Sequence, residues 1–386
     1  MKGRRLIGLV AAGMLGLGPA AAVPPAAAAP ALSPGPTATG TAGVVDRVVR
    51  DPLIDENSGM VAGRRSPGVL WAIEDSGNPP VVDGIDPAGR TVARLTLIGA
   101  TNVDWEAIAP VRLPGGYPGL AIADIGDNLA GRRNVVIYVI AEPSRPATAR
   151  VPVLATLRLT YPDGSGDAET LLSDPRDGHL YIVSKDLLGA ALYAVPPSLW
   201  PPASFPKGLR RAAVLRLRAG LAAPLITDGA VLPDGRVVLR GYQDAYLFPP
   251  AEGMTGVRVE PLARRRLPDE QQGEALALPD GGKPALIGSE GVRQPILRVG
   301  LDGLVPAAPG AHSPAGHSPP GHSLSRAGAT SSPEGARRGS RSTTRWRSYL
   351  MPGLLGVLSA ALAFIVLLLR DRRRQRLRPP RRSPRQ

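Results

Sequence analysis

The sequence predicts an all-β protein, a β-propeller of five four-stranded blades (six if a weak blade hides in a long interval), with one C-terminal transmembrane helix. Three observations predict it. No long window of residues 45–305 keeps a helical period, and its short apolar runs are punctuated by Asp-Gly pairs at 163–164, 177–178, 234–235, 280–281 and 302–303. The runs recur as one unit of strands and turns, which is the signature of a propeller blade. Finally, the stretch YLMPGLLGVLSAALAFIVLLL at 349–369 carries no charge, and at about 1.5 Å per residue it is roughly 31 Å long, a bilayer core.

The chain opens as an exported protein does. Lys2, Arg4 and Arg5 precede the apolar run Leu6 to Leu17, and alanines at 20–22 and 26–29 offer small-residue cleavage sites. Residues 1–29 therefore form a signal peptide. Residues 30–44, rich in Pro, Ala, Thr and Gly, form a flexible leader.

The body, 45–305, contains the repeat. In each copy a strand-like run leads to an acidic residue and three small or apolar ones, then a turn, a second strand ending in polar residues, and a third strand. One copy has ARLTLIGA (93–100), Glu106, LAIADIGDN (120–128) and VIYVI (136–140); the next has ATLRLTY (155–161), Glu169, HLYIVSKD (179–186) and LYAV (192–195). A third has AVLRLRAGL (213–221), Asp228, RVVLRGYQD (236–244) and AYLF (245–248), and a fourth VRVEPL (257–262), Glu274, ALIGSEG (285–291) and ILRV (296–299). A degenerate first copy has VVDRVVR (44–50), Glu56, VLWAIEDSG (69–77) and VVDGID (81–86). The strand at 44–50 has no blade before it, so it is expected to pair with the last copy and close the ring, which removes exposed sheet edges.

Residues 306–348, with HSPAGHSPPGHS at 312–323 and then Ser, Gly and Arg, cannot bury enough apolar surface to offset their ordering entropy. They are expected to be a disordered stalk. The helix 349–369 follows, and the arginine-rich tail 370–386 is cytoplasmic by the positive-inside rule. The expected placement is thus a single-pass membrane protein with its N-terminal side outside the cell.

The net charge of +14 belongs to the ends: residues 1–5, 306–348 and 370–386 together carry +16, leaving 6–305 at −2. A nucleic-acid groove in the folded part is therefore excluded. The absence of cysteine excludes disulfides and thiolate chemistry, so an exported domain must rely on its own core. Arginine far exceeds lysine (Lys2, Lys185, Lys207 and Lys283 are the four lysines), and with abundant Ala, Gly and Pro this is the bias of a GC-rich bacterial genome. No G-x-S-x-G elbow occurs, and His179, the one histidine in the body, has no evident serine partner for a Ser–His–Asp site.

The repeated acids Glu56, Glu106, Glu169, Asp228 and Glu274 are the candidate metal ligands. Placed at the start of each innermost strand, their carboxylates converge on the central channel and repel one another at low dielectric. They then need a hard cation such as Ca²⁺, ordered water or backbone N–H partners. The alternative is that each acid caps its own turn. Two polar clusters, EDSGNPP with Asp75 and DIGDN with Asp124, Asp127 and Asn128, end second strands, as does Asp186; these are the ligand-facing loops, although Asp, Gly and Asn are also ordinary turn formers. Trp105 is expected to be a core anchor.

The segments WAIEDSGNPP, NVDWEAIAP, IADIGDN and GEALAL…IGSEG resemble secreted bacterial β-propellers of the phytase-like or esterase-like class, over most of 56–300. The resemblance implies a propeller with a metal-lined, solvent-facing top. A phytase-like hydrolase also needs a lysine- and arginine-rich pocket for phosphates, and the body has only Lys185, Lys207 and Lys283 and a slight negative charge. The function favoured by the sequence is a membrane-tethered recognition or scaffold module for an extracellular ligand or protein, with Ca²⁺ in its channel. The alternative is a calcium-dependent surface hydrolase.

Overall fold

The computed structural model describes residues 43–304, apart from 165, 201–208, 280, 283 and 303. The signal peptide, nearly all of the leader, the stalk, the 349–369 helix and the tail lie outside the described residues. Among the described residues no helix is long and apolar enough to cross a membrane.

Five antiparallel blades form a ring. Strand β1 (Val44–Val48) comes first and belongs to the last blade. Blade I contains β2 (Asn57–Ala62), β3 (Leu70–Glu74), β4 (Val81–Ile85) and β5 (Thr91–Ile98). Blade II contains β6 (Trp105–Arg112), β7 (Pro118–Asp124) and β8 (Val135–Ala141); the chain then makes β9 (Ala149–Pro152) before returning as β10 (Ala155–Thr160). Blade III contains β11 (Ala168–Ser173), β12 (Leu180–Ser184) and β13 (Ala191–Ala194); the chain then makes β14 (Leu209–Val214), which joins blade II, before returning as β15 (Arg216–Leu221). Blade IV contains β16 (Ile226–Val231), β17 (Arg236–Gly241) and β18 (Asp244–Pro250); the chain then makes β19 (Gly256–Val259), which joins blade III, before returning as β20 (Ala263–Arg266). Blade V contains β21 (Gly273–Ala277), β22 (Ala285–Ser289) and β23 (Pro295–Val299), with β1 as its outer strand.

Three blades have a fifth strand that the sequence did not announce. Strands β9, β14 and β19 leave the connection between third and fourth strands and pair in parallel with β5, β10 and β15 of the preceding blade. Each covers an outer edge that would otherwise present unpaired backbone groups to water. The run 257–262 is accordingly largely a donated edge (β19), and the outer strand of blade IV is the arginine-rich β20. Charged side chains suit it to an edge.

Ring closure is as the sequence predicts. Val44 pairs with Arg298, Val45 with Leu297 and Val48 with Pro295. Arg298 also donates to Asp46 Oδ1. Buried Arg47 donates to Asp46 Oδ2 at 2.8 Å, Gly68 O at 2.9 Å and Ile85 O at 3.2 Å, which ties the closing strand to blade I as well.

The core consists of five apolar clusters, one between each pair of adjacent blades. Trp71 and Trp105 sit together in the cluster between blades I and II. Trp105 is wholly buried and donates its indole N–H to Thr101 O at 2.9 Å, so it is the expected anchor. Around the axis the inner strands approach closely, and small residues recur there. A Cβ on Gly59 would stand 3.3 Å from Ala107 Cα of the next blade.

The inner strands run from the acidic end of the channel toward the other end. Since β23 runs parallel to β21, and Val44 lies opposite Arg298 near the end of β23, the described chain enters and leaves the propeller at the end away from the acids.

Candidate cation centre at the channel mouth

Each inner strand begins with a slip of register, leaving one residue unpaired. The five residues are Ser58, Glu106, Glu169, Thr227 and Glu274. A bulge of this kind bends the strand and re-aims a side chain, and here it sets one polar side chain per blade around the axis. Ser58 Oγ donates to Glu106 Oε2 at 2.9 Å, linking blades I and II. Lys185 Nζ is ion-paired with Glu169 and stands 3.9 Å from Glu274 Oε1, linking blades III and V across the channel.

A second tier comes from the residues just past each second strand: Asp75, Gly126, Lys185, Tyr242 and Glu290. Four of these positions are fixed by the backbone. The N–H groups of Asp75, Gly126, Lys185 and Glu290 donate to the carbonyls of Glu56, Asp104, Asp167 and Gln272 at 2.9, 3.2, 3.0 and 2.9 Å. Lys185 Nζ lies 5.2 Å from the centre of the Tyr242 ring. The Tyr242 hydroxyl donates to Glu274 Oε1 at 3.3 Å, and Gln272 Nε2 donates to the same oxygen at 3.2 Å.

Of the five repeated acids, the structure brings three together: Glu106, Glu169 and Glu274. Glu56 lies two residues before the bulge of blade I, equivalent to Asp104 and Asp167, and its Oε2 accepts from Asn78 Nδ2 at 3.0 Å. Asp228 lies one residue after the bulge of blade IV. Its oxygens accept from the N–H groups of Gly229 at 2.7 Å and Leu276 at 2.6 Å, so it bridges the inner strands of blades IV and V. The signal that locates the bulge in the sequence is an acid–x–acid pattern, Asp104-Trp105-Glu106 and Asp167-Ala168-Glu169. Glu56-Asn57-Ser58 and Gln272-Gly273-Glu274 are its weakened forms.

The loop residues divide by role. Asp75 faces the cluster. Asp124 accepts from the N–H groups of Val103 and Asp104 at 3.3 and 3.2 Å and pairs with Arg132 at 2.7 Å. Asp127 accepts from the N–H groups of Gly131 and Arg132 at 2.9 and 2.8 Å, and its own N–H donates to Asp167 Oδ1 at 2.8 Å. These two acids organise the loop. Asn128 and Asp186 are exposed, and Ser184 Oγ donates to Asp186. His179 pairs with Asp177 at 2.8 Å in a half-buried turn on blade III, on the connection from β11 to β12.

Carboxyl oxygens of Asp75, Asp104 and Glu106 lie within 4.8 Å of one another. That is the separation of two ligands of one Ca²⁺ at about 2.4 Å each. Gly126 makes room for them: a Cβ there would stand 2.6 Å from Asp104 Oδ2 and nearer still to Glu106 Oε1. Glu169 Oε2, buried beside this triad, has no hydrogen-bond partner among the described residues. Burial, then the charges of Asp75, Glu169 and Asp104, push Glu106 well above the usual carboxylate range. Burial and the charge of Asp104 do the same to Asp75, and burial raises Asp104 to about 6. Burial and the charge of Glu274 raise Glu290 to about 11, so Glu290 keeps its proton at neutral pH. Burial alone would lower Lys185, but Glu169 and Glu274 outweigh it and hold the ammonium well above its ordinary value. The donor set is all oxygen, anionic and crowded, which fits a hard divalent cation.

No protein-family model matches this chain, and no curated protein sequence matches it. Solved structures resemble it weakly. Against the calcium-binding protein regucalcin of Agrobacterium tumefaciens the TM-score is 0.37 at 12% identity, over 68% of this chain and 97% of that one. For the glutaminyl cyclase of Myxococcus xanthus the values are 0.39, 11%, 67% and 95%. For a gluconolactonase of Xanthomonas campestris they are 0.36, 12%, 63% and 71%.

Proposed function

We propose that this protein is a Ca²⁺-dependent hydrolase of the esterase-like kind, held at the outer cell surface, acting at the acidic mouth on an uncharged ester or lactone. One observation carries the proposal: Asp75, Asp104, Glu106, Glu169, Glu274 and Glu290 crowd together, and among the described residues the one ammonium that answers them is Lys185, at Glu169, Glu274 and Glu106. The triad Asp75–Asp104–Glu106 fits a divalent cation by geometry and charge. With that cation and Lys185 in place the mouth is still negative, which opposes a phosphate-rich substrate and leaves uncharged ones. The esterase-like side of the sequence resemblance is therefore favoured over the phytase-like side.

Bound Ca²⁺ supplies a Lewis acid for a carbonyl oxygen. The chain's own groups supply the proton traffic. Glu169 Oε2, without a partner among the described residues, accepts a proton from the attacking water. Glu290, which keeps its proton at neutral pH, donates it to the departing alkoxide. Lys185 and the Tyr242 hydroxyl fix Glu169 and Glu274. The surface location rests on the apolar start, the uncharged 349–369 segment and the arginines after it.

Calorimetry of the full chain with Ca²⁺, followed by ester, lactone and phosphoester panels with and without chelator, tests the proposal. The expected result is saturable binding that Glu106→Gln abolishes, with ester or lactone turnover lost on chelation. Preferential phosphoester turnover overturns the substrate class. Ca²⁺ binding with no turnover at all returns the mouth to a recognition role.

A further inference from the structure

The opposite end of the channel has the reverse chemistry. There the inner strands enclose a cavity of about 510 Å³, walled by apolar side chains such as Met60, Ile108 and Leu276, a size typical of small-molecule sites. Three arginines line it, Arg47, Arg64 and Arg298, and no carboxylate does among the described residues. Asp46 serves Arg47 and Arg298 together, one carboxylate for two guanidiniums. Arg64 is exposed and makes no ion pair or hydrogen bond among the described residues; the like charge of Arg112 and the opposite charge of Glu142 both act on it, Arg112 the more strongly, and Glu142 Oε1 is already engaged by the Arg65 N–H and the Trp71 indole. An apolar wall with an exposed guanidinium at its rim that makes no ion pair among the described residues is complementary to a molecule with an apolar body and one anionic group.

We propose that this cavity binds a small amphiphilic anion, an aryl or medium-chain acyl carboxylate or sulfonate, with its apolar body between the inner strands and its anion at Arg64. The site is independent of the acidic mouth. It faces the side on which the described residues begin and end.

The test uses the full chain in lipid nanodiscs and equilibrium dialysis, with empty nanodiscs subtracted. The probes are naphthalene-2-sulfonate and its uncharged relative 2-methylnaphthalene. The sulfonate is expected to bind saturably at one site per chain, and more tightly than the hydrocarbon. Arg64→Gln, at an exposed position, is expected to weaken the sulfonate by about fivefold, the upper end for a solvent-exposed ion pair, and to leave the hydrocarbon unchanged. Ala62→Trp, which fills the rim, is expected to exclude both. Equal binding of the two probes, sulfonate binding indifferent to Arg64→Gln, or no saturable site overturns the proposal.

Discussion

Replacing Lys185 with methionine removes the only ammonium among the described residues from a crowd of carboxylates while keeping the length of the side chain. The Lys185 side chain is 15% exposed, is ion-paired with Glu169 and lies 3.9 Å from Glu274. At an effective dielectric near 20, one unit-charge pair at that distance is worth about 4 kcal/mol. Removing one partner of a buried pair typically costs about 3–5 kcal/mol. For a domain of this size roughly 2–4 °C of Tm follows each kcal/mol, so the cation-free variant should melt roughly 8–16 °C below the parent at pH 7. The assay is differential scanning calorimetry at pH 5, 7 and 8, with chelator and with excess Ca²⁺. Acid should shrink the deficit, because the carboxyls that Lys185 answers then carry protons. Ca²⁺ should also shrink it, by entering the position that the ammonium leaves. A deficit under 3 °C at pH 7, or one of equal size at pH 5, would refute this account of the mouth.

The parent should respond to pH in the same sense. Asp104, raised to about 6, Glu74, to about 8, and Glu290, to about 11, have folded pKa values above their unfolded ones, so their stabilising contribution is whole below about pH 4 and is lost as pH rises through the folded values. The chelated protein should therefore melt lower at pH 8 than at pH 5, and excess Ca²⁺ should flatten that slope, adding roughly 2.7 kcal/mol at a hundredfold excess over Kd. Gly126→Ala pushes a methyl against Asp104 and Glu106 and should weaken Ca²⁺ by about tenfold or more, a loss of roughly 1.4 kcal/mol read by titration calorimetry. Asp46→Ala strips Arg47 and Arg298 of their shared carboxylate and should lower stability by about 1–3 kcal/mol in a urea titration. Protease added to intact cells should remove the propeller and spare a tag on the arginine-rich tail; digestion of the tag would reverse the proposed topology.

The ring itself was legible because turn chemistry and strand period are local. Asp234-Gly235, for example, places a glycine at φ 88° between β16 and β17, where a side chain would be strained. Closure by 44–50 was legible for a different reason: an opening strand without a blade has only one edge left to cover. The donated strands β9, β14 and β19 were not legible, since a run such as Ala149–Pro152 has no period of its own and pairs only because a neighbouring edge is open. The candidate site was half legible. The acids were visible, but the register that separates Glu106 from Glu56 depends on a one-residue bulge, and a slip of one residue turns every side chain to the other face. Glu290 meets Glu274 within the first hairpin of blade V, and Lys185 meets Glu169 within that of blade III, but only closure of the ring brings Lys185 to Glu274.

The join between β1 and β23 fixes an order of events during synthesis. The first strand to leave the ribosome is the last to find its partner, since Val44 waits for Arg298. Closing a loop of about 250 residues costs on the order of 5 kcal/mol of chain entropy, and until then β1 and the open flank of blade V are both free to recruit other chains. Val44, Val45 and Val48 remain largely exposed even after closure. When many nascent chains are crowded together, the competitor for blade V is the first strand of a neighbour, and the product is a dimer in which two rings have exchanged their latches.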